Sequence, residues 1–281
     1  ATTGGRMSGA ALELIGLRHT FFPGTPSEQR ALEGVSLTVD PGTFVVVIGI
    51  NGSGKSTLLN GVAGSVTLDE GIVRIGGRDV TRWPEHRRAG MIGRVFQNPF
   101  SGTAPHLTVA ENLAIASQRG RSRQLFRLGL SSGRRAQLAE QLASMNLGLE
   151  HRLVTPTGVL SGGQRQALTL LMATIVRPAV LLLDEHTAAL DPRSAEQVLR
   201  LTEETVARDR LTTLMVTHSM HQAVRIGDRL LLVHRGRILE DFSGPRKRRL
   251  RMEDLLDRFD QLRNADMLDE SAAEMLRRAY V

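Results

Sequence analysis

A run of five apolar residues, Phe44–Ile48, leads straight into Gly49-Ile50-Asn51-Gly52-Ser53-Gly54-Lys55-Ser56. That junction restricts the chain more than any other feature it has. A short continuous β-branched run is the mark of a parallel strand buried on both faces. The glycines that follow let the backbone curl into a nest of N–H groups, and Ser56–Ala63 then has helical character. Strand, glycine loop and helix in that order make an anion site at the helix N-terminus. Lys55 can reach the β- and γ-phosphates as a point charge, the Ser56 hydroxyl can sit on Mg²⁺, and Thr57 adds a donor nearby.

The rest of the chain repeats the strand–helix rhythm. Strands are expected at Leu12–Leu17, Val35–Val39, Ile72–Ile75, Ile92–Phe96, Val180–Leu183, Thr213–Thr217, Arg229–His234 and Arg237–Phe242. Helices are expected over Pro192–Arg208 and Met220–Ile226, so the core reads as α/β with a parallel sheet covered on both faces. Between Phe100 and Leu160 there is no β-run, whereas Val109–Ser117 and Arg134–Met145 have helical spacing, which predicts a helical insertion. Arg119–Arg123 and Leu130–Arg135 read as polar joints. Residues 1–10 are small and aperiodic and read as a disordered leader or an expression scar, with Met7 a candidate natural start. From Arg246 onward the spacing is helical again, with Leu255, Leu256 and Phe259 on one side and Met267, Met275 and Leu276 further on.

Composition removes several alternatives. The chain of 281 residues has no cysteine, which excludes a disulfide framework and any Cys-ligated zinc or iron–sulfur site. No apolar run approaches the roughly 18 residues of a spanning helix, and no signal peptide opens the sequence, so a soluble intracellular protein is expected. The net charge of +7 is carried by arginine, since Lys55 and Lys247 are the only lysines. With aromatics at 4% there are few platforms for stacking bases, so no nucleic-acid partner is expected. The densest basic cluster, Arg246–Arg249 with Arg251, could meet acidic lipid headgroups, but a solvated turn after Pro245 is the favoured reading.

Val180–Leu183 ends in Asp184-Glu185. A buried strand terminating there would place the Asp184 carboxylate beside Mg²⁺ at the carboxyl edge of the sheet. Glu185 would face the γ-phosphate and orient or deprotonate the attacking water. A third motif, Leu160-Ser161-Gly162-Gly163-Gln164-Arg165-Gln166, opens another helix, expected to run to Val176. A simple helix cap is a valid reading of Ser161, but it does not explain Gly-Gly-Gln.

With that motif the sequence resembles the ATP-binding-cassette ATPases, whose signature is Leu-Ser-Gly-Gly-Gln. Other marks stand in order: Gln97 after the strand Ile92–Phe96, Ala189-Leu190-Asp191 after the acidic pair, and His218 in Val216-Thr217-His218. The resemblance spans about residues 12–242. It implies a phosphate-loop (RecA-like) parallel-sheet core, an N-terminal antiparallel β subdomain and a helical subdomain inserted at about 99–161, all within 11–245, followed by a helical appendage at 246–281.

The resemblance also implies roles. Two subunits, expected to be identical, would sandwich two ATP molecules head to tail, so that Ser161, Gly162, Gly163 and Gln164 close on nucleotide held by the other copy's Gly49, Asn51, Gly52, Ser53, Gly54, Lys55, Ser56 and Thr57. Asp191 belongs to the same composite site. Gln97 would sense Mg²⁺ and water, and His218 would contact the γ-phosphate. Phe21 falls at the adenine-stacking aromatic, with Phe22 open as the alternative and core packing equally open for Phe21. The chain departs from most cassettes after Glu185, where His186 stands for proline; the favoured reading is a replaced turn residue. His186, Gly24-Thr25-Pro26 and Met215–His218 resemble a bacterial importer subgroup associated with binding proteins for tryptophan-like or hydrophobic amino acids. Thr155–Val159 lacks the pattern of many exporters. The resemblance thus implies a subunit at the cytoplasmic face of the membrane, working with permease subunits, whose coupling helix Phe100–Asn112 would receive, and with an extracytoplasmic substrate-binding protein. The alternatives are a soluble cassette of translation or chromosome-maintenance type, and a phosphate-loop kinase or GTPase, which would leave Leu160–Gln164 and His218 unexplained.

Overall fold

The computed structural model describes residues 11–120, 132–143, 145 and 147–264. The expected leader, Arg121–Arg123, Leu130, and Met267, Met275 and Leu276 lie outside those residues.

Two sheets face each other. The first is antiparallel, in the order β2 (Gln29–Val39), β1 (Leu12–Phe21), β4 (Glu70–Ile75), β5 (Arg78–Asp79). The second has six strands in the order β10 (Arg237–Ser243), β9 (Arg229–His234), β3 (Phe44–Ile48), β8 (Thr213–Val216), β7 (Val180–Asp184), β6 (Ile92–Val95). It is parallel from β9 to β6, and β10 joins antiparallel through a hairpin whose turn residues, Arg235 and Gly236, both have positive φ.

β3 shows why its sequence is apolar throughout. Alternate side chains of a strand point to opposite faces, and here both faces are covered. Val45 and Val47 enter the core between the sheets with Leu12, Leu14 and Leu58. Phe44, Val46 and Ile48 enter a second core under the helices, with Leu168 and Leu199. Leu181 and Leu183 of β7 join that second core, while Val180 and Leu182 join the first.

The helices α1 (Lys55–Ala63), α2 (Glu85–Arg88), α3 (Val109–Ala116), α4 (Ser132–Ala143), α5 (Gly162–Thr174), α6 (Pro192–Asp209), α7 (Met220–Arg225) and α8 (Gly244–Arg249) fill the intervals. α3 and α4 lie between β6 and β7, and residues 252–264 are helical as well.

Several expectations need correction. β1 and β2 extend to Phe21 and back to Gln29, because each supplies the other's ladder across a bulged antiparallel register that polar residues such as Arg18 and Glu33 share. α5 stops at Thr174, short of Val176. The basic cluster is not a solvated turn: Gly244–Arg249 is helical with proline in its first turn, and Lys247 is buried, its ammonium donating to Val224 O at 2.6 Å. Leu256 is exposed, unlike Leu255 and Phe259.

Leu255 and Phe259 are buried in the second core, near Phe242. Truncating Leu255, which has no exposed surface, to alanine should therefore cost about 2–5 kcal/mol of unfolding free energy, measured in urea. A loss below about 0.5 kcal/mol would mean that helix 252–264 packs only loosely on the core.

Candidate active site

The glycine loop is shaped by contacts that leave no room for side chains. A Cβ on Gly49 would lie 2.0 Å from Val233 O, and one on Gly54, which sits at φ 99°, would lie 2.2 Å from Ala31 O. Gly54 ends the loop as the N-cap of α1 and supplies no side-chain cap. The contrast with α3, α5, α6 and α7 is informative, since Thr108, Ser161, Asp191 and Ser219 cap those helices with side-chain oxygens. The α1 N-terminus thus keeps donors aimed at the cleft, and the buried Ser53 hydroxyl has no hydrogen-bond partner. Both features fit a polyphosphate.

The cleft over this loop measures about 410 Å³ and is lined by Phe21, Gln29, Ala31, Asn51–Thr57, Gln97, Glu185 and His218. Phe21 stands at its edge with its ring set against His19 in a T-shape, centroids 4.5 Å apart. Phe22, at φ 51° and 66% exposed, turns outward. Lys55 is folded back, its ammonium donating to Gly49 O and Ile50 O at 2.9 Å each. Burial lowers its pKa, while Glu185 and Asp184 pull it up.

Glu185 and His218 come from the ends of neighbouring strands, β7 and β8. The Glu185 carboxylate is buried and lies 2.5 Å from His218 Nε2. Asp184 does not line the cleft; its carboxylate faces the Arg94 guanidinium at 3.8 Å. Burial pushes the Asp184 carboxyl above the usual range, against the pull of Arg94, His218 and Lys55. Arg94 also donates to Asn60 Oδ1 at 2.6 Å and Ser65 Oγ at 3.0 Å, tying β6 to α1. Ser56, Gln97 and Asp184 would offer Mg²⁺ only hard oxygen donors, which suits it. Among the described residues no group of three or more His, Cys, Asp or Glu gathers as an all-protein metal cage.

The signature lies elsewhere. Ser161 caps α5, accepting from Gln164 N, while the Gln164 side chain accepts from Ser161 N, a complete capping box. Gln164 Nε2 donates to Leu147 O at 3.1 Å. A Cβ on Gly163 would meet Ser194 Cβ at 2.9 Å, and one on Gly162 would approach Leu190 at 3.1 Å. Local packing thus restricts Gly163, whereas Gly162 meets only the end of the flexible Leu190 side chain. Asp191 is likewise an N-cap, accepting from Ser194 N at 3.0 Å. A second cleft of about 300 Å³, lined by Leu147, Ser161, Gly163, Gln164, Ser194, Gln197 and Val198, shares no residue with the first.

Sequence reasoning assigned no role to Gln29, Arg94, Gln166 or Gln222. Gln166 is buried and donates to Phe96 O at 2.9 Å, linking α5 to the segment that carries Gln97. Its place within the signature run was the available signal. His186 is also buried, and burial pushes its pKa down to about 4, leaving it neutral at pH 7.

Comparison with known proteins places the chain in a family. The family model described as ABC transporter matches residues 32–188, more than half of the chain. A tyrosine transport ATP-binding protein of Clostridioides difficile (strain R20291) is 39% identical over 240 residues, covering 85% of this chain and 95% of that one. A thiamine import ATP-binding protein of Escherichia coli (strain K12) is 38% identical, covering 72% and 82%. Among solved structures, a dimeric bacterial ABC transporter cassette superposes with a TM-score of 0.70 at 28% identity, covering 83% of this chain and 98% of that one. A dimeric post-hydrolysis cassette bound to ADP and Pi gives 0.68 at 27% identity, with the same coverage.

Proposed function

The chain belongs to the ABC transporter family of ATPases, and we propose that it powers the import of an aromatic or other hydrophobic amino acid. In this reading it works as one of two identical subunits bound at the cytoplasmic face to permease subunits, with an extracytoplasmic binding protein delivering the solute. The relative described as a tyrosine transport ATP-binding protein supports the solute class, since the match runs over nearly that protein's whole length. No helix among the described residues is long and apolar enough to cross a bilayer, and in this reading the permease supplies the membrane path.

The observation that carries the reading is the separation of the two clefts. Lys55, Glu185 and His218 surround one, and the signature helix N-terminus borders the other, with no residue in common. One chain holds half of the chemistry in each place, and a twofold axis can bring the halves together.

Within the first cleft, Phe21 offers a face for the adenine, and the loop N–H groups with Ser53 and Thr57 would bind phosphate oxygens. Lys55 would exchange its two loop carbonyls for the β- and γ-phosphates. Ser56, Gln97 and Asp184 would hold Mg²⁺, which supplies charge neutralisation on the phosphates. Glu185 would orient water and accept its proton, and His218, against that carboxylate, would steady the γ-phosphate. Closure on ATP and release after hydrolysis would convert nucleotide state into a permease conformation.

The test is to reconstitute the chain with its permease in lipid vesicles and add tyrosine, tryptophan, methionine or thiamine with the binding protein. A several-fold rise in ATP hydrolysis with an aromatic amino acid is expected. Stimulation by thiamine alone would overturn the solute class, and failure to bind any membrane protein would overturn the transporter role.

A further inference from the structure

Glu185 sits at φ 45°, a left-handed backbone that is unfavourable for a non-glycine residue. Such a conformation persists only where its surroundings over-determine it. The following residue is His186, so proline does not stiffen the turn here. Two sets of polar contacts hold it instead, one from each side.

On one side, His186 Nε2 lies 3.0 Å from Thr202 Oγ1 on α6. The Thr202 hydroxyl also lies 2.8 Å from Val198 O, so it can donate to that carbonyl while accepting from the imidazole. On the other side, Gln222 Nε2 on α7 donates to Thr187 Oγ1 at 3.2 Å. The same amide accepts from Thr217 Oγ1 through Oε1 at 2.7 Å. Thr217 immediately precedes His218, and its backbone N–H donates to Val47 O, on the strand that leads into the glycine loop.

These bonds close a ring. Glu185 and His218 stand on loops at the ends of two neighbouring strands and touch each other at 2.5 Å. Gln222 ties the same two loops a second time, through Thr187 and Thr217. Thr217 Oγ1 accepts from Ser219 N at 3.1 Å and gives its own proton to Gln222 Oε1. The NH₂ end is then left for Thr187. An amide can accept at one end and donate at the other, which a carboxylate or a methyl group cannot do. Thr187, Thr217 and Gln222 do not line the nucleotide cleft.

We propose that Gln222 is a positioning residue for ATP hydrolysis, setting the separation of Glu185 and His218 by tying Thr187 to Thr217 while His186 anchors the same turn to α6. The proposal rests on the reading of Glu185 and His218 as the groups that act on water and γ-phosphate. It deepens that reading by naming what holds them in register.

The test is steady-state ATP hydrolysis by the full chain, with ATP binding and thermal unfolding measured alongside. Gln222→Met keeps the length of the side chain and removes both bonds; kcat should fall about tenfold with KM for ATP within about twofold, the pattern of loosened geometry rather than lost binding. Thr187→Val should produce a similar fall, and Thr187→Ser, which keeps the hydroxyl, should recover most of it. Because the two side chains share one bond, the double variant Gln222→Met/Thr187→Val should lose about tenfold, not the roughly hundredfold of independent sites. Unchanged kcat in Gln222→Met, additive losses in the double variant, or losses that follow the fall in melting temperature with KM rising in step would each overturn the clamp. Should Gln222→Met fail to fold, the Thr187→Val and Thr187→Ser pair decides alone. Full turnover by Glu185→Gln would instead remove the catalytic assignment beneath it, so the two failures are distinct.

Discussion

Glu185→Gln should hydrolyse ATP at least about a hundredfold more slowly than the parent chain while still binding it. The substitution is chosen for what it leaves alone. Glutamine fills the same buried space, meets the same left-handed backbone and can still accept from His218 Nε2. It cannot take a proton from water. Phe21, Lys55 and the glycine loop are untouched, so nucleotide affinity should persist. Stalled before hydrolysis, the variant should accumulate as an ATP-loaded dimer, visible as a shift in size-exclusion volume with ATP and not with ADP. A variant that turned over ATP at the parent rate would leave Glu185 without a chemical role.

The second large effect is a complementation. Ser161→Arg damages the signature and loses a capping box worth about 1 kcal/mol, but leaves the nucleotide cleft of its own chain intact. Lys55→Ala does the reverse. Each variant alone should be nearly inactive. Mixed in equal amounts, half of the dimers pair one of each, and each mixed dimer assembles one whole site: the loop of the Ser161→Arg chain under the signature of the Lys55→Ala chain. Activity should therefore recover to about a quarter of the parent level by this twofold statistics. If every protomer worked with its own signature, mixing would recover nothing. The separation of the two clefts within one chain is the structural ground for expecting recovery.

How far the sequence could be read depended on whether a feature is local. Phe44–Ile48 showed its strand outright because both faces of that strand are buried, so every position had to be apolar. β1 and β2 were read short because their outer ends carry polar residues and are strands only by virtue of pairing with each other. Phe21 and Phe22 are indistinguishable as adjacent letters, yet a positive φ turns Phe22 to solvent while Phe21 borders the cleft. The basic cluster shows the same limit. Four consecutive cations look solvated, but helical geometry sends Lys247 inward to the end of α7, where Val224 offers a carbonyl.

What the amino-acid order settled unaided was the set of groups that act at short range along the chain: the glycine loop with Lys55, the acidic pair after its strand, and the signature at a helix start. Backbone conformation and helix ends are decided within a few residues, so spacing alone carries them. Folding in three dimensions decided the pairings: Arg94 with Asp184, Glu185 with His218, and Gln222 between Thr187 and Thr217. Most of those partners are tens of residues apart and are brought together because β6, β7 and β8 lie side by side in the sheet. No pattern along a linear chain encodes which side chains meet across adjacent strand ends; packing does.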